Sequence, residues 1–461
     1  MTIPGHVQDY LKKCRWEKSP FLNSGSDSLA NIKQVVVIPA FAEKHCLFAT
    51  LATLAGNDSS ELERTLVICV INNRPFPHVT HESFKDNSDT LEILRCLVGG
   101  QISPVVEGDA AFSEPLLNIL QSGLRLAYLD ASSAGNEMPL KRGGVGLARK
   151  LGMDAGLTVI DYKNSHDGRL LCLDAASPVA NNYLSSVSEF YETHNSHAAV
   201  VSYAHPFPEE QNLLSAICSY EIFLRYYLLG LVYAESPYAF HTIGSTMTCT
   251  VRGYVAVRGM NRREAGEDFY FLNKLAKYCP VGKITATRVY PSARLSSRVP
   301  FGTGQRMNEC MEGKFRENYF YDPHVFRILK KWLQGMKSCI EEGGNFPLKM
   351  AMDISSALAD FLEKTNFPII WKRICATHKT TEKRRRHFQE WFDAFQTMKL
   401  IHYLTKAAYP AVSMQHAVSG LNELLLQTDD GQYQYFCDKR IAGISEQIEI
   451  LKKLRELEPK E

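Results

Sequence analysis

The chain has 461 residues, of which 45% are hydrophobic and 22% charged, and a formal net charge of +2 at pH 7. Single cores split beyond about 250 to 300 residues, so one large domain and a smaller one are expected. The near-neutral balance excludes a global electrostatic footprint for nucleic acid or anionic lipid and leaves any phosphate binding to local groups. The 12 cysteines are scattered without a CxxC pair, which reads as reduced core cysteine rather than a disulfide or zinc framework. MTIPGHVQDYLKKCRWEKSP lacks the apolar centre of a signal peptide, and there is no run of about 18 uncharged apolar residues. A cytoplasmic protein is expected, at most peripheral at a membrane.

In chain order, QVVVIPA reads as a strand, HCLFATLATLAG as a helix and TLVICVINN as a second buried strand, a parallel βαβ unit. The alternation continues with a strand at LRLAYLD, a helix from about Gly146 to Ala155, the strand RLLCLD, a helix from about Ala180 to Thr193 and the strand AAVVSYA. From Glu210 to Ala234 the chain is helical in spacing, with Tyr220, Phe223, Leu224, Tyr227, Leu228 and Leu231 on one face and Glu221 and Arg225 as an i,i+4 pair on the other. This most apolar stretch is expected to be a buried helix packed on the sheet, in preference to a membrane-surface element, given its charges and the flanking Pro206 and Pro237.

Beyond about residue 320 helical spacing takes over. Lys383 to Arg386 reads as a solvated helix face. Ile441, Ile444, Ile448 and Leu451 fall at 3,4,3 spacing, about two heptads, too few for a convincing coiled coil and better suited to packing on their own domain, with a homodimer contact as the alternative. The expected organisation is a lead-in over 1–30, an α/β domain over 31–310 and a helical region over 311–461.

Three stretches in this order resemble the family 2 glycosyltransferases, whose A-type nucleotide-sugar fold is Rossmann-like with a mostly parallel central sheet. VVVIPAFAE is similar to the family's opening strand, with Pro39 in its turn and Glu43 as the acid that contacts the nucleoside. ARKLGMDAG, followed by LLCLDAASPVANNYL, resembles the Ala-Arg-Asn helix and the D-x-D strand end, which places Asp174 at the donor. MNRREAGEDFYFLNKLAK carries Glu267 and Asp268 where the family has an acidic pair whose Asp is the base of inverting members. HTIGSTMTCTVRGYVAVRGM resembles the glycine-containing turn that lines donor sugar and acceptor, with Gly244 and Ser245 its best positions. The resemblance implies a nucleotide-sugar donor, UDP-linked by expectation, a glycan or lipid-linked acceptor, and a Mn or Mg ion beside Asp174.

The residue types suit that chemistry. A leaving diphosphate needs a cation or fixed cationic donors, hard cations want carboxylate oxygens, and strand ends of an open α/β sheet are where such groups gather. Arg288, Arg294, Arg298 and Arg306 punctuate a Ser/Gly-rich stretch that reads as a lid over the diphosphate, with Arg294 and Arg298 its contacts, or as a plain surface loop. Gly266 is expected to let backbone approach the acidic pair closely. Lys141 and Arg149 are weaker donor-side candidates, with a plain helix-surface charge as the alternative for either.

Two positions depart from the family. Ala176 stands where the second, metal-binding acid of D-x-D belongs, which leaves open a metal-independent enzyme, a weakened or non-catalytic relative, or an introduced Asp-to-Ala change. Asn72 and Asn73 replace a base-reading acid, and their amides either hydrogen-bond a base or form a turn with Arg74 and Pro75.

Overall fold

The computed structural model describes residues 3–25, 29–106, 110–163, 167–295, 303–311, 319–342, 347–426, 441 and 443–457. Its centre is an eight-stranded sheet built from β1 (Leu22–Ser24), β2 (Gln34–Ala40), β3 (Thr65–Asn72), β4 (Arg125–Ala131), β5 (Arg169–Cys172), β6 (Ala198–Tyr203), β7 (Met247–Thr250) and β8 (Gly282–Val289). The spatial order is β1-β4-β3-β2-β5-β7-β6-β8. β2, β3, β4 and β5 run parallel, as do β6 and β8, while β7 lies antiparallel between β5 and β6. The expected α/β architecture, a mostly parallel sheet followed by a helical region, is what the chain forms.

Unbroken burial of β2 and β3 follows from helices on both faces. Val35 and Val37 point into a core shared with Leu147, Leu151 and the rest of the helix Val145–Val159. Val36 and Ile38 point the other way, into a core with Phe48 and Leu51 of the helix Lys44–Ala55. The register pairs Val37 with Ile68 on one side and with Cys172 on the other, so β2 and β3 run on together to Ala40 and Ile71 while β5 ends three residues earlier. Pro39 lies past the last β2–β5 pair, Val37 with Cys172, so its missing N–H removes nothing from that ladder. β7 and β8 escape a reading of local pattern: MTCT is four residues inside a turn-like stretch, and β8 alternates buried and open positions without a strong apolar run.

The helix Gln211–Tyr233 is long and apolar enough to cross a membrane by composition, yet 67% of its apolar window is buried inside the protein. It is buried, as expected, but against the C-terminal helices and not on the sheet as the sequence suggested: Cys218, Ile222, Tyr226 and Leu229 share a core with Phe320, Phe326, Trp332 and Leu421. Glu221 and Arg225 are not on an open face either, being 0% and 1% exposed. Glu221 accepts from Arg225 Nε (2.9 Å), Arg455 Nε (2.7 Å), Arg455 Nη2 (2.8 Å) and the His205 backbone N–H (3.0 Å). Burial opposes its charge, but these donors hold its carboxyl below the usual range. Arg455 belongs to the helix Ile444–Glu456, whose Ile450, Leu451 and Leu454 complete the same core, so the 3,4,3 stripe packs within its own chain. Lys383 to Arg386 lie on a largely exposed helix, with Arg385 and Arg386 paired to Glu341 and Glu390.

Candidate active site

The ends of β2, β3 and β5 open onto a cavity of about 1280 Å³. Pro39 and Glu43, Asn72 and Asn73, Arg149, Asp174 and Ala176, Gly244 and Ser245, Glu267 and Asp268, and Arg294 all border it. Residues more than 250 positions apart thus converge at the strand ends. Arg298 lies outside the described residues, and Lys141 is exposed and does not line the cavity.

Arg149 is the hub. It projects from the helix Val145–Val159, is 2% exposed, and donates through Nη1 to Glu267 and through Nη2 to Asp174. A Cβ on Gly244 would stand 2.4 Å from Arg149 Nη2 and 2.8 Å from Nη1, so the glycine makes room for the guanidinium. Burial works against the charge, and Asp174 and Glu267 outweigh it, so Arg149 stays protonated.

Asp174 follows β5 in a turn closed by the Ser177 N–H on its carbonyl (3.1 Å). Its half-exposed carboxylate engages Arg149 rather than capping a helix. The segment after it runs along the chain beyond β8: Ala180 N–H donates to Arg288 (3.0 Å), Tyr290 N–H to Pro178 (2.8 Å) and Ser292 N–H to the Ala176 carbonyl (2.9 Å). This pairing carries Arg294 to the cavity, where Nη2 donates to Glu43 and Nη1 to Cys46 Sγ (2.8 Å). Glu43, the expected nucleoside contact, and Arg294, the expected diphosphate contact, therefore hold one another.

Glu267 and Asp268 open the helix Glu267–Tyr278, where the helix dipole favours acids. Gly266 precedes them at φ +66° with nothing within 4 Å of a built Cβ. Its role is the left-handed turn into the helix, and the close approach expected from the sequence does not occur. Burial pushes the Glu267 carboxyl up to about 7 against the pull of Arg149, with Asp268 adding like-charge repulsion. Asp268 is also raised by burial and lowered in part by Arg149. Its carboxylate accepts from the Phe269 N–H (2.7 Å) and borders the cavity.

Buried polar side chains in the cavity wall have atoms without a partner. Asn73 is 3% exposed and both amide atoms lack a partner; Ser245 is 0% exposed with Oγ unpartnered. Buried polar atoms are normally satisfied, so these are polar atoms of the cavity wall with hydrogen-bonding capacity to spare. Asn73 is the stronger of the two amides, because the clearer feature of Asn72 is its backbone carbonyl on Asn87 Nδ2 (3.2 Å).

The donor set does not fit a divalent cation. Asp174 and Glu267 are both engaged by one guanidinium, Ala176 offers a methyl group, and among the described residues no group of three or more His, Cys, Asp or Glu is placed to hold a metal. Mg and Mn sites want several hard oxygens, and those of Asp174 and Glu267 are already engaged by Arg149.

What the sequence does not show is that the face Tyr220, Phe223, Leu224, Tyr227, Leu228 and Leu231 lines the cavity as well as packing on the helical core, to which Leu231 belongs and against which Phe223 and Tyr227 lie. Apolar residues at helical spacing look the same whether they meet a core or a cavity. Arg74, paired with Glu264 (3.1 Å), and Thr397 and Met398 of the C-terminal region also line it and carry no motif.

Among known proteins, no family model matches the chain and no curated protein does. Solved structures similar to it include residues 1–349 of S. aureus TarS in complex with UDP-GlcNAc, at 12% identity over 78% of this chain and 91% of that one, TM-score 0.36. Another is the mannosyltransferase PcManGT from Pyrobaculum calidifontis in complex with GDP-Man and Mn2+, at 12% identity over 84% of this chain and 92% of that one, TM-score 0.36.

Proposed function

We propose that the protein is an A-type glycosyltransferase that moves a sugar from a nucleotide sugar, UDP-linked by preference, to an acceptor hydroxyl with inversion. The observation that carries this reading is the convergence, in one cavity at the strand ends, of Asp174, Arg149 and Arg294 with the acidic pair Glu267 and Asp268. Asp268 takes the proton of the acceptor hydroxyl as that oxygen bonds to the anomeric carbon. The bond from that carbon to the diphosphate breaks, and its electron pair leaves on the phosphate oxygen. A positioned general base contributes about 10²–10⁴-fold.

Arg294 neutralises the leaving charge once the diphosphate displaces Glu43, and Arg149 supplies a second fixed cation. Arg149 also holds Glu267 and Asp174 in place, so the two halves of the site share one clamp. Asn73 and Ser245 hydrogen-bond the donor, their unpartnered atoms being the support for that role.

A second reading, a nucleotide-sugar binder without turnover, is favoured by Ala176. Incubation with UDP-sugars and small alcohols separates the two: a transferase releases nucleoside diphosphate, and a binder shows calorimetric affinity for UDP without release. Absence of both binding and release would reject the proposal.

A further inference from the structure

The transfer chemistry uses the polar side of the cavity and leaves its apolar side unexplained. Tyr220, Phe223, Leu224, Tyr227, Leu228 and Leu231 form one stripe of the helix Gln211–Tyr233 along the cavity. From Tyr220 to Leu231 it extends about 16 Å at 1.5 Å per residue. Phe223 and Tyr227 face Tyr321, with ring centroids 5.6 and 6.0 Å away. Phe269, next in sequence to Asp268, borders the same space, so the apolar side reaches the proposed base.

Charge divides the cavity. The strand-end side carries Glu43, Arg149, Asp174 and Arg294, whereas among the described lining residues of the helical side Glu309 is the charged one. Thr397 sits on the helical side, 1% exposed, with Oγ1 unpartnered. The whole space, about 1280 Å³, exceeds the roughly 300–1,000 Å³ of a single-ligand pocket, leaving room for a second substrate beside the donor. A sugar chain laid on this stripe would find partners at most at the Tyr220, Tyr227 and Tyr321 hydroxyls and would strand hydroxyls laid on Phe223, Leu224, Leu228 and Leu231, each weakening binding by about 5- to 150-fold. A hydrocarbon chain gains about fourfold for each buried methylene.

Resting on the transferase reading, we propose that this stripe is the acceptor subsite and that the acceptor is an amphiphile: a hydroxyl-bearing head presented to Asp268 on an alkyl or prenyl chain laid from Tyr220 to Leu231. Thr397 then meets the head group. The test is calorimetric titration of methyl, hexyl and octyl β-glucosides, each below its micelle concentration, into the full chain, with UDP titrated separately. Octyl should bind about tenfold or more tighter than hexyl, and methyl weakest. Leu224→Ser and Tyr227→Ser should flatten this dependence with UDP affinity unchanged, and Leu224→Met should preserve it. Affinity independent of chain length, or an undiminished dependence in both serine variants, overturns the inference. UDP binding with no chain-length dependence overturns this inference alone; chain-length dependence without UDP binding overturns the transferase reading and leaves an amphiphile site.

Discussion

Replacing Arg149 by methionine removes one guanidinium that two carboxylates share and leaves Glu267 buried beside Asp268. Stripping one partner from a buried ion pair costs about 3–5 kcal/mol when the remaining charge cannot be neutralised. Here it can be, and pH decides how far. The Glu267 carboxyl is held up to about 7 in the folded protein, above its ordinary 4.5. The native state therefore binds a proton that the unfolded state has lost between those values, and stability falls as pH rises through that window, then levels off. Without Arg149 the folded value climbs further, so the decline continues beyond pH 7 at up to about 1.4 kcal/mol per unit. The gap between native and Arg149→Met should be small near pH 5.5 and open to about 2 kcal/mol by pH 8.5. Urea unfolding at half-unit pH steps measures it, and Arg149→Met combined with Glu267→Gln should remove the extra slope. A gap that stays constant with pH would refute the shared-clamp argument.

Other expectations rest on single contacts. Gly244→Ala places a methyl 2.4 Å from Arg149 Nη2, an overpacking that costs about 1–3 kcal/mol, visible as a lower unfolding midpoint together with lost turnover. Arg294→Ala should weaken UDP binding by about 10- to 150-fold, the worth of a hydrogen bond to a charged group, in calorimetric titration. Manganese should leave the UDP affinity of the native chain within about twofold of its value in EDTA, while Ala176→Asp, which adds a hard ligand, should acquire manganese dependence. Tightening by manganese in the native chain would show that the donor set accepts a cation after all.

The sheet was legible where its physics is local. QVVVIPA and TLVICVIN are β-branched runs buried on both faces, and strand boundaries follow from them directly. β7 was not legible, because an antiparallel strand of four residues is stabilised by neighbours distant in sequence, Leu170 and Ala199 among them. The site divides the same way. Asp174 and the Glu267–Asp268 pair announced themselves through ordered motifs, but Arg149 read only as a weaker candidate, and the joining of the acids by its guanidinium needed the three-dimensional path of the chain. The pairing of Arg294 with Glu43 likewise depends on the Ala176 carbonyl holding Ser292, a backbone contact without sequence signature. Glu221 shows the limit of local spacing: an i,i+4 pair read only as lying opposite the apolar face becomes a buried anchor once Arg455, over 200 residues later, docks on it.

The central claim is that Asp268 is the base of a sugar transfer in this cavity, and the most direct test compares the native chain with Asp268→Asn in two readouts, nucleoside diphosphate release from a UDP-sugar and calorimetric affinity for UDP. The account predicts a kcat lower by about 10²–10⁴-fold with UDP affinity nearly unchanged. Release that persists at the native rate in Asp268→Asn would contradict it.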